Sequence, residues 1–178
     1  MVGFRSSPQT FGKVAQALHW STTILVFALI PLGLVMTRLP ESADPTVLYR
    51  VHVSIGLIVL LLTLVRFVWR FADSQPSPLP MPAWRRVVFR TVNACLYLGL
   101  IALVLTGLTM LIGSGMVPVP PEVVPDEIDD IPPRAAHHVL AWIFGVIVLS
   151  HLAGVVSYQL KKGDTLGRIL PNRGVANR

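Results

Sequence analysis

His137 and His151 lie fourteen residues apart on one apolar segment. An imidazole can ligate a metal or relay a proton, and inside a membrane it is costly enough to mark function by default. Fourteen helical steps of about 100° return to within roughly 40° of the start, so both side chains share one helix face. At ~1.5 Å per residue they stand ~21 Å apart, one near each edge of a hydrocarbon core of about 30 Å. Two aligned histidines at that separation point to two stacked sites. The blander reading makes them a pair of lipid-interface residues.

The elements that carry them follow from composition. The chain has 178 residues, of which 53% are hydrophobic and 13% charged, with a mean hydropathy of +0.64. That is too apolar for an ordinary soluble domain, and the reading is one integral membrane domain over residues 1–178. The net charge of +6 does not indicate nucleic acid, because the basic residues flank apolar segments and form no aromatic-interleaved stripe. Cys95 is the sole cysteine, so an intrachain disulfide and a cysteine-rich zinc site are both excluded.

Four segments can span a bilayer: His19 to Thr37, Val51 to Phe71, Val87 to Ile112 and Val139 to Leu160. The first has Arg5 and Lys13 before it but no small-residue cleavage site after Val35, and it is read as retained. Pro31 with Gly33 is expected to bend its outer half. Arg5 and Lys13, the group Arg66, Arg70, Arg85, Arg86 and Arg90, and the group Lys161, Lys162, Arg168, Arg173 and Arg178 mark three cytoplasmic regions, which places both termini inside. The proline-rich run Pro76 to Pro82 reads as a stiff inner connection. The acidic stretch Val117 to Pro133 reads as the longest outer one, a place for a partner or lid or simply a solvated loop.

With that orientation, His19 opens the first span at the inner depth and His52 opens the second at the outer depth. Each meets a counterpart on the fourth helix: His52 with His137, and His19 with His151. Four histidines in two pairs at two depths suit two bis-histidine haem irons better than zinc, which wants about four ligands at one point. His138 makes the outer ligand ambiguous. It is turned roughly 140° from the His151 face, which favours His137 and leaves His138 as a polar interface residue or, alternatively, a hydrogen-bond partner of a haem carboxylate or a member of a proton path. Gly56, Gly107 and Gly145 let backbones approach a flat ring or a neighbouring helix. Ser54 and Ser150 are candidate hydrogen-bond partners for the ligands, or they bond back to their own helices.

The combination resembles the bacterial cytochrome b561 family. The matching residues are Ala17-Leu18-His19-Trp20, His52-Val53-Ser54-Ile55-Gly56, Leu64-Val65-Arg66 with Arg70, Gly107-Leu108-Thr109-Met110, His137 and His151, and Lys162-Gly163-Asp164-Thr165-Leu166 ahead of Arg168-Ile169-Leu170-Pro171. Nearly the whole chain is covered. The resemblance implies an all-α integral membrane bundle of four helices enclosing two noncovalent haems b, in the inner membrane of a bacterium. It also implies quinone-linked electron transfer, with ubiquinone as acceptor and superoxide as the family's precedent for a donor at the outer face. A protein donor is the other option there.

Two axial imidazoles leave no open iron position, so the chemistry is outer-sphere electron transfer. Arg66 and Arg70 at the inner end, and Arg50 and Arg134 at the outer end, are candidate partners for haem carboxylates or, alternatively, headgroup anchors. The resemblance favours Arg66. Two other readings remain at this stage. One is a dihaem b anchor subunit of a larger dehydrogenase or hydrogenase, and the other is a haem-free metal or proton transporter.

Overall fold

A computed structural model describes residues 3–40, 44, 46–114, 132–163 and 165–171. The acidic connection expected at Val117 to Pro133 lies outside the described residues, except for Pro132 and Pro133. All regular structure among the described residues is helical: α1 (Lys13–Met36), α2 (Thr46–Ala72), α3 (Ala83–Gly113) and α4 (Pro132–Lys162), then a 3-10 turn at Leu166–Arg168. Each of the four helices is long and apolar enough to cross a membrane, and the protein is a multi-pass membrane protein.

The helices coincide with the four expected spans but start several residues earlier. Hydropathy detects only the part of a helix in hydrocarbon, whereas the hydrogen-bond ladder runs on into the interface. Prolines mark two of these early starts. Pro82 caps α3, and Pro132 and Pro133 open α4, where the missing N–H would have had no helical partner. Pro31 lies within a continuous α1. Between Asp73 and Pro82 no helix forms, as the proline run dictates.

Helix α1 packs along α2 and α3 along α4, while α2 and α3 touch more lightly. The middle of the bundle is closed by Val26, Val59 and Phe144, backed by Leu29, Ile55 and Leu100. Val26 follows His19 by seven residues, Val59 follows His52 by seven, and Phe144 is midway between His137 and His151. This apolar layer therefore separates the two histidine depths. Large apolar side chains such as Ile24, Leu61, Leu98 and Leu149 point outward, as expected where the surroundings are lipid.

One end of the bundle is knitted together by polar bonds. The Ser6 N–H donates to both Asp73 carboxylate oxygens at 3.1 and 3.2 Å, and Ser6 Oγ donates to Oδ2 at 2.6 Å. Ser6 Oγ in turn accepts from the Gly12 N–H at 2.9 Å. The Phe11 N–H and Thr10 Oγ1 donate to the Arg168 carbonyl, Arg168 Nη1 donates to the Ser77 carbonyl at 2.7 Å, and Trp20 Nε1 donates to the Ile169 carbonyl at 2.9 Å. The segment before α1, the α2–α3 connection and the turn after α4 thus meet at one end. All three regions were expected on one side of the membrane.

Candidate functional site

At the opposite end, His52 of α2 and His137 of α4 face each other. Their ring centroids are 6.3 Å apart and the rings are inclined at 71°. Both line a cavity of about 580 Å³ walled by all four helices, inside the range of roughly 300–1,000 Å³ usual for cofactor sites. Its lining is overwhelmingly apolar and includes Leu29, Tyr49 and Phe144. The polar groups are few, and Arg134 is the charged one.

Glycines give this pair its room. A Cβ at Gly33 would lie 3.4 Å from His52 Cε1, and one at Gly107 would lie 3.6 Å from His137 Cε1. Gly56 and Gly145 also line the cavity, and a Cβ added at either would enter open space.

The hydrogen bonds of the two rings differ. His137 Nδ1 is 3.0 Å from Thr106 Oγ1, whereas His52 Nδ1 is buried with no partner among the described residues. His19 Nδ1, at the other depth, is likewise buried and orphaned. A buried imidazole nitrogen without a partner is costly unless the ring gains something elsewhere, and metal ligation through the second nitrogen is one such gain.

His19 of α1 and His151 of α4 interact electrostatically with each other and with Arg66 of α2. The Arg66 guanidinium sits over the Tyr97 ring at 5.5 Å. Arg70, one turn further on, is exposed and its Nη1 donates to Gln75 Oε1 at 3.3 Å. At the outer end the Nε of Arg50 is buried with no hydrogen-bond partner among the described residues. The half-buried His19, His52, His137 and His151 contrast with His138, which is exposed and accepts from Trp142 Nε1 at 3.2 Å across one helical turn. The interface reading of His138 therefore fits its surroundings.

Sequence reasoning passed over Thr106. Helical threonines and serines commonly bond back to their own carbonyls, and here Thr22, Thr63 and Ser150 all do. For Ser150 this is the self-bonding alternative, and it does not reach a histidine ring. Thr106 makes the same back-bonds, to the Ala102 and Leu103 carbonyls at 3.0 and 2.9 Å, and touches His137 as well. Its one sequence signal is adjacency to Gly107, which opens the wall at that level.

A smaller cavity of about 270 Å³ opens beside His151 between α3 and α4, with Trp84, Arg85, Phe89, Ser150 and Tyr158 in its wall. Tyr158 is buried and its hydroxyl donates to the Pro80 carbonyl at 3.2 Å.

Two imidazole–metal bonds of about 2.0 Å each, with ~1.2 Å from ring centre to nitrogen on either side, span roughly 6.4 Å. The 6.3 Å between the His52 and His137 centroids matches that span, and the glycine-lined cavity beside them leaves space for a flat macrocycle. Among the described residues no three His, Cys, Asp or Glu side chains converge, so the donor set suits an axially ligated group and not a caged ion. A four-helix membrane bundle with histidines paired at two depths has the make-up of a membrane cytochrome of b type.

The comparisons identify which kind. The prokaryotic cytochrome b561 family matches residues 10–172, and the chain belongs to that family. It is 29% identical to cytochrome b561 homolog 2 of Escherichia coli (strain K12), with 95% of each chain covered. It is 28% identical to cytochrome b561 homolog 1 of the same organism, covering 92% of this chain and 98% of that one. The protein is accordingly a haem b electron-transfer protein of the membrane.

Proposed function

We propose that the protein holds two haems b, one between His52 and His137 and one between His19 and His151, and carries electrons between a one-electron donor at the outer face and the quinone pool. The observation that carries this reading is the His52–His137 pair, whose ring centroids lie 6.3 Å apart beside a glycine-lined cavity. When bound, each haem supplies a one-electron couple. The chain's own residues hold it and set its surroundings. Two imidazoles would hold each haem, and with both supplied by the chain, oxygen binding at the metal would be disfavoured. Val26, Val59 and Phe144 keep water out between the two depths. Arg66, beside the His19–His151 pair, is placed to neutralise a haem carboxylate there, and Arg50 and Arg134 are the outer counterparts.

The knitted end is the cytoplasmic one in this reading, on the strength of the basic residues around it, and the membrane is the bacterial inner membrane. The cavity beside His151 supports a quinone site in the inner half. It opens among apolar side chains that suit a ring and tail, and Arg85 and Ser150 are polar groups fit to meet quinone oxygens. Superoxide, the precedent carried by the family resemblance, is the proposed outer donor and ubiquinone the proposed acceptor.

A reduced-minus-oxidised spectrum with haem counted per chain tests the reading. Two haems b are expected in the wild type. His52→Ala and His137→Ala should each lose the same haem, and His19→Ala and His151→Ala the other. His138→Ala should keep both. A His138 variant that loses a haem while the His137 variant keeps two would overturn the assignment. Co-purification of a stable iron–sulfur subunit would turn the outer donor into a bound protein.

A further inference from the structure

Resting on the reading of His137 as an outer haem ligand, we infer that Thr106 is a positioning residue that fixes the His137 tautomer, strengthens it as a ligand and lowers the reduction potential of the outer haem relative to the inner one. A threonine hydroxyl has a single hydrogen. Here the Ala102 and Leu103 carbonyls, at 3.0 and 2.9 Å, stand in position to take it. The hydroxyl then has only lone pairs to offer His137 Nδ1 at 3.0 Å, so Nδ1 must carry the proton and donate. With Nδ1 protonated, Nε2 keeps its lone pair and becomes the ligating atom.

Donation from Nδ1–H leaves more electron density on the ring. This raises ligand basicity and favours the oxidised iron. Gly107, next to Thr106, lets the ring approach: a Cβ there would meet His137 Cε1 at 3.6 Å and Nδ1 at 3.8 Å.

The other histidines show why this matters. His52, on the far side of the same cavity, and His19, at the other depth, both have buried Nδ1 atoms with no partner among the described residues. Thr106 therefore acts on one ligand of one haem. A lower potential at the outer haem makes electron transfer toward the inner haem favourable, so this hydroxyl contributes directionality.

The test is a potentiometric titration of the purified holoprotein in wild type, Thr106→Val, Thr106→Ser and Thr106→Ala, with the outer haem identified as the one absent from His52→Ala. Valine matches threonine in shape and removes the hydroxyl, both its acceptor for His137 and its bond back to the helix, and serine restores both. Thr106→Val should raise the outer reduction equilibrium about fivefold, which is ~40 mV at ~59 mV per tenfold for one electron. The inner haem should not move. Thr106→Ser should restore the wild-type potential, and Thr106→Ala should shift it in the same direction as valine. Selective loss of the outer haem in Thr106→Val with retention in Thr106→Ser would also support the inference. Unchanged outer potentials, equal shifts in the serine and valine variants, or a shift confined to the inner haem would overturn it. A wild type with fewer than two haems would sink the dihaem reading instead, so the two failures are distinguishable.

Discussion

Removing the Asp73 carboxylate should release the segment before α1. Asp73 is only 7% exposed and accepts three hydrogen bonds from Ser6, at 3.1, 3.2 and 2.6 Å. Ser6 Oγ also holds the Gly12 N–H, so one carboxylate anchors residues 3–12 across a sequence separation of 67 residues. Hydrogen bonds to a charged group contribute about 1.5–3 kcal/mol each at most. The two long N–H bonds share one donor and the site borders water, so a total of about 2 kcal/mol is reasonable. That corresponds to a roughly thirtyfold increase in local opening. Burial works against ionisation of Asp73, but the Ser6 hydroxyl and amide outweigh it and hold the carboxyl below its ordinary value of 3.8. A depressed folded value gives stability that is complete at neutral pH, begins to fail as pH drops through about 3.8, and is gone below the folded value. Hydrogen exchange on the detergent-solubilised holoprotein reads this directly at the Ser6 and Gly12 amides. Asp73→Ala should cut their protection about thirtyfold, and Asp73→Asn should abolish its acid dependence. Unchanged protection of both amides in Asp73→Ala would refute the argument.

Other outcomes follow from single positions and from charge. A Cβ at Gly99 would lie 2.8 Å from Phe144 Cδ2, in the buried middle layer, so Gly99→Ala should cost about 1–3 kcal/mol by overpacking and lower the temperature at which the haem spectrum is lost. Reporter fusions within Pro76 to Pro82 and after Arg178 should report cytoplasm, and one near Val123 the outside; an outward C-terminus would overturn the orientation. The stretch from Ser114 to Ala136 holds five carboxylates and one arginine, a formal −4. If superoxide reduces the outer haem, its bimolecular rate in stopped flow should therefore rise with ionic strength, whereas a rate that falls steadily as salt is added would mean that a positive entry site governs.

The helices and the meeting of His52 with His137 were legible because hydrocarbon thickness and helical pitch together fix the depth and face of every residue on a span. The position of Arg66 beside His19 and His151 was legible for the same reason, and the exposure of Arg70 was not, since neighbouring turns of one helix look alike in sequence. Thr106 escaped because a threonine that also reaches a ring has the same pattern as one that only bonds its own helix. The strap escaped because residues 3–12 have no periodicity, and nothing local announces that Ser6 bonds to Asp73. Among the described residues, hydroxyls at membrane depth bond mostly within their own helix, with Thr106–His137 crossing between helices, whereas the bonds at the knitted end join connections and termini. Irregular backbone is excluded from lipid, so sequence patterns find the first kind more readily.

That division makes one more outcome calculable. Thr106 acts on His137 at one depth, and the Asp73 strap acts near Trp20, whose indole bonds Ile169 and whose ring packs against His19 at 5.4 Å. Between the two lies the apolar layer of Val26, Val59 and Phe144, which carries no hydrogen-bonding side chain to link them. Sites that share no partner add to within about 0.3–0.5 kcal/mol. In the double variant Thr106→Val with Asp73→Ala, the outer potential shift and the loss of strap protection should each equal those of the single variants. A coupling well above ~0.5 kcal/mol in either quantity would mean that the middle layer transmits a rearrangement between the two depths, and the treatment of the histidine pairs as separately tuned sites would fail.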